Sequence, residues 1–177
     1  MLNPTQIKSI VSAGEGYNAE FKVSIPSNVK GITEEVCAFA NASGGVVLIG
    51  VDDTNNIKGA TIDNSKRSAI QNSINEISPA LRCEFYIVEV DGLNVAVIEV
   101  PSGQNKPYVL SGAIYVRQGP NSQKLTTVEE MRDFFQQASK IYFDDASCME
   151  ANIDTTISKE NSDTFRFEAG LVNVTSD

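Results

Sequence analysis

The spacing of apolar residues along the chain alternates between two periods, and each period predicts one kind of element. Apolar residues that recur three and four positions apart indicate helices, and they do so four times. The first predicted helix has Asn3 to cap it and Pro4 at its first position, while Thr126, Thr127 and Glu130 offer a capping box for the last. The helices are predicted over residues 3–14, about 28–42, about 64–77 and about 126–135.

Strands are indicated by alternation of apolar and polar residues and by one unbroken apolar run. Residues 46–51 are apolar apart from a glycine, so they predict a buried central strand that ends at Asp52 and Asp53. Runs of two or three strands between single helices favour an α+β or mixed α/β domain, a mixed sheet with helices packed on it. The other strands are predicted over residues 17–23, 57–60, 83–90, 93–100 and 112–119, with a hairpin turn at Asp91 and Gly92.

The negative charge of the chain is concentrated at one end. The 177 residues carry 14 basic and 23 acidic side chains, a net charge of −9, which argues against binding nucleic acid through bulk attraction. Residues 1–140 hold 12 basic and 15 acidic residues, whereas residues 141–177 hold 2 and 8. We therefore expect one domain over residues 1–140 and an acidic tail over 141–177, partly disordered or the start of a truncated C-terminal region.

The composition excludes several classes of chemistry and of location. The chain has no His, which rules out Ser-His and Cys-His catalysis and zinc sites built on His. Its cysteines, Cys37, Cys83 and Cys148, form no C-x-x-C pair, which is typical of a reducing cytoplasm. The sequence has neither an apolar run of about 20 residues nor a secretory signal. We expect a cytoplasmic protein that does not bind membranes.

Four carboxylates are candidates for a metal site. Glu20 lies on the polar face of the strand predicted over residues 17–23, and Glu15 precedes it between two glycines. Asp52 and Asp53 follow the buried strand. Carboxylates that converge from separate elements suit Mg²⁺ or Mn²⁺, which take oxygen ligands and activate water beside a phosphate. The alternative is that these acids only shape turns and face solvent.

Two cations are candidates for contact with the phosphates of a nucleic acid. Lys22 shares the polar face of its strand with Glu20, although a lysine on an edge strand also serves to block strand pairing. Arg117 precedes a predicted loop at residues 119–122, whose N–H groups and hydroxyl would receive a phosphate beside the guanidinium. The alternative role of Arg117 is a cross-strand ion pair.

The aromatic residues divide into two predicted groups. Phe39 and Tyr17 are assigned to the core because each falls on the apolar side of its element. Tyr86, Tyr108 and Tyr115 are candidates for stacking on bases.

Four sequence blocks carry a resemblance to a known family. They are E-x4-E-F-K at residues 15–22, C-A-F-A-N-A-S-G-G-V-V-L-I-G-V-D-D at 37–53, I-K-G-A at 57–60 and Y-V-R-Q-G at 115–119. Over roughly residues 5–138 the chain resembles the Schlafen AlbA-like domain. This domain occurs in bacterial proteins described as transcriptional regulators or helicase-related proteins, and in the core of animal Schlafens. The resemblance implies a single-lobe α+β domain.

The resemblance leaves three interpretations of function open. The first is a nucleic-acid-binding regulatory domain of a transcriptional regulator, which binds DNA through Lys22 and Arg117 and acts as a homodimer. The second is an endoribonuclease that depends on Mg²⁺ or Mn²⁺ and uses Glu15, Glu20 and Asp53. The third is an ATP-binding or oligomerising module, which the sequence supports only weakly. With a net charge of −3 over residues 1–140, a nucleic-acid contact has to be local, metal-assisted or completed by a second subunit.

Overall fold

The computed structural model describes the backbone of residues 1–145 and the side chains as far as Ala138. Contacts divide the chain after Ala138, so Met1–Ala138 forms a compact unit of its own. The acidic tail expected over residues 141–177 lies outside the described residues, apart from the end of the last helix, and so does Cys148. The predicted boundary between residues 140 and 141 therefore stays a prediction.

The described residues form four helices and eight strands. The helices are α1 (Pro4–Ala13), α2 (Lys30–Asn41), α3 (Asn64–Ile74) and α4 (Val128–Asp145). The strands are β1 (Ala19–Lys22), β2 (Gly44–Ile49), β3 (Ile77–Ser78), β4 (Glu84–Val90), β5 (Leu93–Pro101), β6 (Val109–Leu110), β7 (Ala113–Gln118) and β8 (Asn121–Lys124).

The strands form two four-stranded sheets, and the α+β class is confirmed. The first sheet has the order β1-β2-β5-β4, with β1 and β2 parallel and the other neighbours antiparallel. The second has the order β3-β6-β7-β8 and is antiparallel throughout. The sequence predicted neither β3, β6 nor β8, because the first two have only two residues each and β8 reads Asn-Ser-Gln-Lys, without an apolar period.

Two apolar clusters cover the two faces of the first sheet. On one face α1 contributes Ile7 and Val11, which pack with Phe21 of β1 and with alternate residues of the central strands. On the other face α2 contributes Val36 and Phe39, which pack with the remaining alternate residues. The predicted cap of α1 is confirmed. The side-chain oxygen of Asn3 accepts from the N–H of Gln6 at 2.9 Å, and the side-chain oxygen of Gln6 accepts from the N–H of Asn3 at 2.9 Å.

Helix α2 is the element that both sheets contact. It packs against β2 and β5 of the first sheet and against β6, β7 and β8 of the second. Its last residue, Asn41, is buried and bonds to the second sheet and the segment before it: the amide nitrogen donates to the carbonyls of Tyr108 at 2.7 Å and Tyr115 at 2.9 Å, and the oxygen accepts from the N–H of Tyr108 at 2.7 Å. These bonds satisfy backbone groups that no water reaches.

Two aromatic assignments need correction, and one is confirmed. Phe39 is fully buried, as expected. Tyr17 is 47% exposed rather than in the core, because it lies in the turn before β1 begins at Ala19, where the strand alternation does not yet apply. Tyr108 is only 4% exposed and packs against Gly103, so its ring has no face free for a base.

No helix within residues 1–145 is both long enough and apolar enough to cross a lipid bilayer.

The hairpin predicted around Asp91 and Gly92 is confirmed. Both turn residues have positive φ, 52° and 78°. Strands β4 and β5 pair in continuous register, from Val90 opposite Leu93 to Glu84 opposite Glu99.

We predict that Asn41→Ala lowers the free energy of unfolding by about 3 kcal/mol, because it removes three hydrogen bonds to backbone groups, leaves the buried N–H of Tyr108 unpaired and leaves the carbonyl of Tyr108 only the thiol of Cys37. Urea denaturation followed by circular dichroism measures the loss. The matched control is Asn72→Ala, on the exposed side of α3, which should change stability by less than about 0.5 kcal/mol. Equal losses in the two variants would contradict the role given to Asn41.

Candidate functional site

A buried arginine joins the separate elements of the site. Arg117 lies on β7, and its side chain has no exposed surface. Its guanidinium lies over the ring of Phe39 on α2, 4.5 Å from the centroid. Nη1 donates to Glu20 Oε2 at 3.3 Å, to Glu35 Oε2 at 2.5 Å and to Ser122 Oγ at 3.0 Å. Nη2 donates to the backbone carbonyls of Gly16 at 2.6 Å and Pro120 at 2.8 Å.

These surroundings change the role predicted for Arg117. Residues 119–122, expected as an open phosphate-binding loop, are instead a tight turn and the start of β8, which pairs with β7. The guanidinium lies beneath this hairpin, and both terminal nitrogens already have acceptors, so a phosphate cannot reach it in this conformation. The structure instead has the alternative role of Arg117, an ion pair: Arg117 is paired with Glu20 of β1 and Glu35 of α2.

Glu35 is the member of this network that the sequence analysis missed. It lies on α2, four residues before the buried Phe39, a spacing that brings the two side chains to the same side of the helix. Burial raises the pKa of Glu35 above its ordinary value of 4.5. The hydrogen bond from Ser122 opposes this shift, while the negative charge of Glu20 adds to it.

Lys22 and Glu20 lie on the same face of β1, as the alternation predicted. The Lys22 ammonium is 2.5 Å from Glu20 Oε1, and the Lys22 side chain is 35% exposed. Glu20 therefore bridges two cations, with one oxygen on the exposed ammonium and the other on the buried guanidinium of Arg117. Of the two predicted phosphate contacts, Lys22 is the one that solvent reaches.

The four acids predicted to hold a metal do not form a metal site. Among the residues with described side chains, no group of three or more Asp, Glu, Cys or His residues is placed to hold a metal ion. Glu15 accepts from the N–H of Phe21 at 2.8 Å, and both oxygens of Glu20 are engaged by cations. Mg²⁺ or Mn²⁺ would need several of these acids to converge, and an ion bound by Glu20 would have to displace Lys22 or Arg117.

Asp52 organises the turn after β2. Its Oδ1 accepts from the N–H groups of Thr54 at 3.0 Å and Asn56 at 2.8 Å, and its Oδ2 is 3.3 Å from the ammonium of Lys58. These hydrogen bonds, the one from the Asn56 backbone foremost, hold the pKa of Asp52 well below its ordinary range. Asp53 beside it is exposed. Asp52 thus follows the turn-forming alternative, while a catalytic role for Glu15, Glu20 and Asp53 stays a prediction.

Three segments meet at Gly50, directly after β2. The N–H of Gly50 donates to the carbonyl of Lys22 at 2.7 Å, and the carbonyl of Gly50 accepts from the N–H of Lys58 at 2.7 Å. The φ of Gly50 is 111°, and a Cβ there would lie 2.9 Å from the carbonyl carbon of Gly59, so a side chain does not fit. We call Lys22, Gly50 and Lys58 the Gly50 junction.

The Gly50 junction lies at the carboxyl ends of the parallel strands β1 and β2, the edge at which open α/β sheets bind ligands. It brings the backbones of Lys22 and Lys58 together although 35 residues separate them in the sequence. Lys58 is 55% exposed and was not singled out as a site residue. The sequence feature that points to Lys58 is its place in the I-K-G-A block at residues 57–60, one of the four blocks that carry the family resemblance.

A family model confirms the resemblance carried by the sequence blocks. The model described as Schlafen, AlbA_2 matches residues 15–126, which include the Gly50 junction and the network around Arg117. The chain belongs to the Schlafen AlbA_2 family. Membership suggests a function related to nucleic acids.

Solved structures also resemble this Schlafen AlbA_2 chain. The DIP2311 protein from Corynebacterium diphtheriae is 21% identical with a TM-score of 0.52; the match covers 76% of this chain and 32% of DIP2311, so the likeness concerns the fold alone and about a third of that protein. The N-terminal domain of a RecG-related protein from Nitrosomonas europaea is 26% identical with a TM-score of 0.48, covering 72% of this chain and 95% of that one. No curated protein matches the chain significantly.

We predict that Arg117→Met destabilises the domain by about 3 kcal/mol or more, because it leaves the partly buried Glu35 without its cation and Glu20 with Lys22 alone. Arg117→Lys should recover only part of the loss, since one ammonium cannot reach acceptors on both sides as the guanidinium fork does. Urea denaturation measures both. Arg132→Met, on the exposed surface of α4, is the control and should cost less than about 0.5 kcal/mol.

A second prediction concerns pH. Because the pKa of Glu35 is raised in the folded state, the native protein holds this proton more tightly than the unfolded chain, and the stability that Glu35 contributes falls as the pH rises above 4.5. Glu35→Gln removes this titration. The unfolding free energy of the native sequence minus that of the variant should therefore decrease as the pH rises above 4.5, measured by urea denaturation at several pH values. An increase over the same range would contradict the assigned direction.

Proposed function

We propose that this chain is the nucleic-acid-binding domain of a transcriptional regulator, and that it binds DNA through backbone phosphates at the Gly50 junction. The observation that carries the proposal is that the backbones of Lys22 and Lys58 both bond to Gly50 at the carboxyl edge of β1 and β2. Lysines serve as point contacts for phosphate oxygens, and such contacts fix the position of a protein on a duplex. Membership of the Schlafen AlbA_2 family supports the same class of ligand.

The charge of the domain requires that the contact be local. Each junction lysine has a carboxylate beside it, Glu20 at 2.5 Å from Lys22 and Asp52 at 3.3 Å from Lys58. A phosphate that approaches either ammonium competes with that carboxylate, so affinity depends on displacing a short ion pair rather than on a basic surface. We therefore expect few phosphates to be neutralised and a shallow dependence of affinity on salt.

The proposal is for binding rather than cleavage. An endoribonuclease that uses Glu15, Glu20 and Asp53 needs carboxylate oxygens for its metal, whereas Glu20 has both oxygens on cations and Glu15 accepts from the N–H of Phe21. A second copy of the chain, also expected from the sequence, would present the junction lysines twice to one duplex.

We predict that Lys22→Gln and Lys58→Gln each weaken DNA binding and lower the slope of log affinity against log salt by about 1, because each removes one phosphate contact. Fluorescence anisotropy of a labelled DNA duplex, a single strand and a tRNA at several salt concentrations measures both quantities. The losses should be similar for different sequences, since phosphate contacts carry no sequence information.

The control is Arg82→Gln, which removes an exposed cation beside Gly45 and Asn18, at the other end of β2 from Gly50. It should leave the salt slope unchanged. If neither DNA nor tRNA binds at low salt, the proposal is wrong. Cleavage of either substrate that requires Mn²⁺ and disappears in Glu20→Gln would replace binding by the nuclease interpretation.

A further inference from the structure

Among the described residues the outer edge of β4 has no strand beside it, although Arg67 of α3 already donates to the outward carbonyl of Phe85. β4 is the last strand of the first sheet, it has seven residues, and no strand within residues 1–145 pairs with its outer side. Its sequence, Glu-Phe-Tyr-Ile-Val-Glu-Val, has neither proline nor lysine, and its register with β5 is unbroken by a bulge. Proline, lysine and bulges are among the features that keep an edge strand from pairing, and of the charged side chains that also do so β4 has only Glu84 and Glu89, near its two ends.

The hairpin decides which backbone groups of β4 face outward. Val90 and Leu93 flank a two-residue turn, and such a pair exchanges both of its backbone hydrogen bonds. Even-numbered residues of β4 therefore bond to β5, and the N–H and C=O groups of Phe85, Ile87 and Glu89 point away from the sheet. A contact supports this assignment, since Arg67 of α3 donates from Nη2 to the carbonyl of Phe85 at 3.1 Å.

The side chains of the same three residues share one face of the sheet. Phe85 is partly covered by α3, and the guanidinium of Arg67 lies 5.3 Å from the centroid of its ring. Ile87, in the middle of the strand, is 43% exposed, and Glu89 is exposed as well. The open edge thus presents a cation at one end, an apolar side chain at the centre and an anion at the other end.

We propose that β4 pairs with β4 of a second copy of this chain, antiparallel about a two-fold axis at Ile87, so that two four-stranded sheets become one of eight strands. In this register each of the seven residues of β4 lies opposite a residue of the other copy, and Arg67 has to share or release the carbonyl of Phe85 for the backbone bonds at that end to form. Ile87 lies opposite Ile87 of the other copy, and Phe85 lies opposite Glu89. An isologous contact of this kind closes on itself and produces a dimer rather than a fibre.

Charge complementarity selects the second copy as the occupant. Arg67 lies over Phe85, so in the paired sheet it is next to Glu89 of the other copy on the same face, and the two-fold axis generates this ion pair twice. A shift of register by one residue would instead place Glu84 opposite Glu89, two like charges, and would turn the outward backbone groups of one strand away from those of the other. The proposal is independent of the Gly50 junction, which lies on other strands.

Sedimentation of the full chain over a range of concentrations tests the proposal. The native sequence should associate to a dimer, and Ile87→Lys should weaken the dimer by about tenfold or more, because it replaces the central apolar pair by two ammonium groups. Val128→Lys is the matched control, since Val128 is 66% exposed on α4, and this variant should leave the dimer unchanged. Circular dichroism verifies that each variant folds.

A charge exchange tests the register without altering the centre of the strand. Arg67→Glu and Glu89→Arg should each weaken the dimer, and the double variant should recover it, because the ion pair is restored with reversed signs. A native chain that is monomeric at every concentration would overturn the proposal, as would a dimer that Ile87→Lys leaves intact. Failure of the double variant to recover association would overturn the register.

Discussion

The enclosed guanidinium of Arg117 is the interaction on which the arrangement of this domain depends. It lies on the second sheet, yet its acceptors come from the loop before β1, from β1 itself, from α2 and from the β7–β8 hairpin. A charge without exposed surface is stable only where several acceptors surround it. The chain therefore has to bring these segments together around the guanidinium.

Helix α2 provides the second constraint, because it is packed between the two sheets. Asn41 at its end satisfies backbone groups around the second sheet, and Phe39 supports the guanidinium. These contacts hold the helix that connects β1 to β2, and so they hold the carboxyl edge where Gly50 joins Lys22 and Lys58. At this edge the side chain of each lysine has a neighbouring carboxylate, Glu20 for Lys22 and Asp52 for Lys58.

Much of the local structure was predictable from the sequence. The caps at Asn3 and Glu130, the hairpin at Asp91 and Gly92 and the buried run at 46–51 depend on near neighbours, and the structure has all of them. The wrong prediction for Arg117 has a physical cause. β8 is polar throughout, so no apolar period predicts a strand there, and without β8 the hairpin that covers Arg117 cannot be predicted.

The sequence by itself determined the family, the α+β class and the shared face of Glu20 and Lys22, since these follow from ordered motifs and from the two-residue period of a strand. Only the tertiary structure decided which charged groups meet. It paired Glu35 with Arg117, enclosed the arginine, engaged the oxygens of Glu20 and kept Glu15 and Asp52 in separate hydrogen-bonded turns. The physical reason is that an ion pair is a contact between residues distant in sequence, and its geometry depends on how sheets and helices pack.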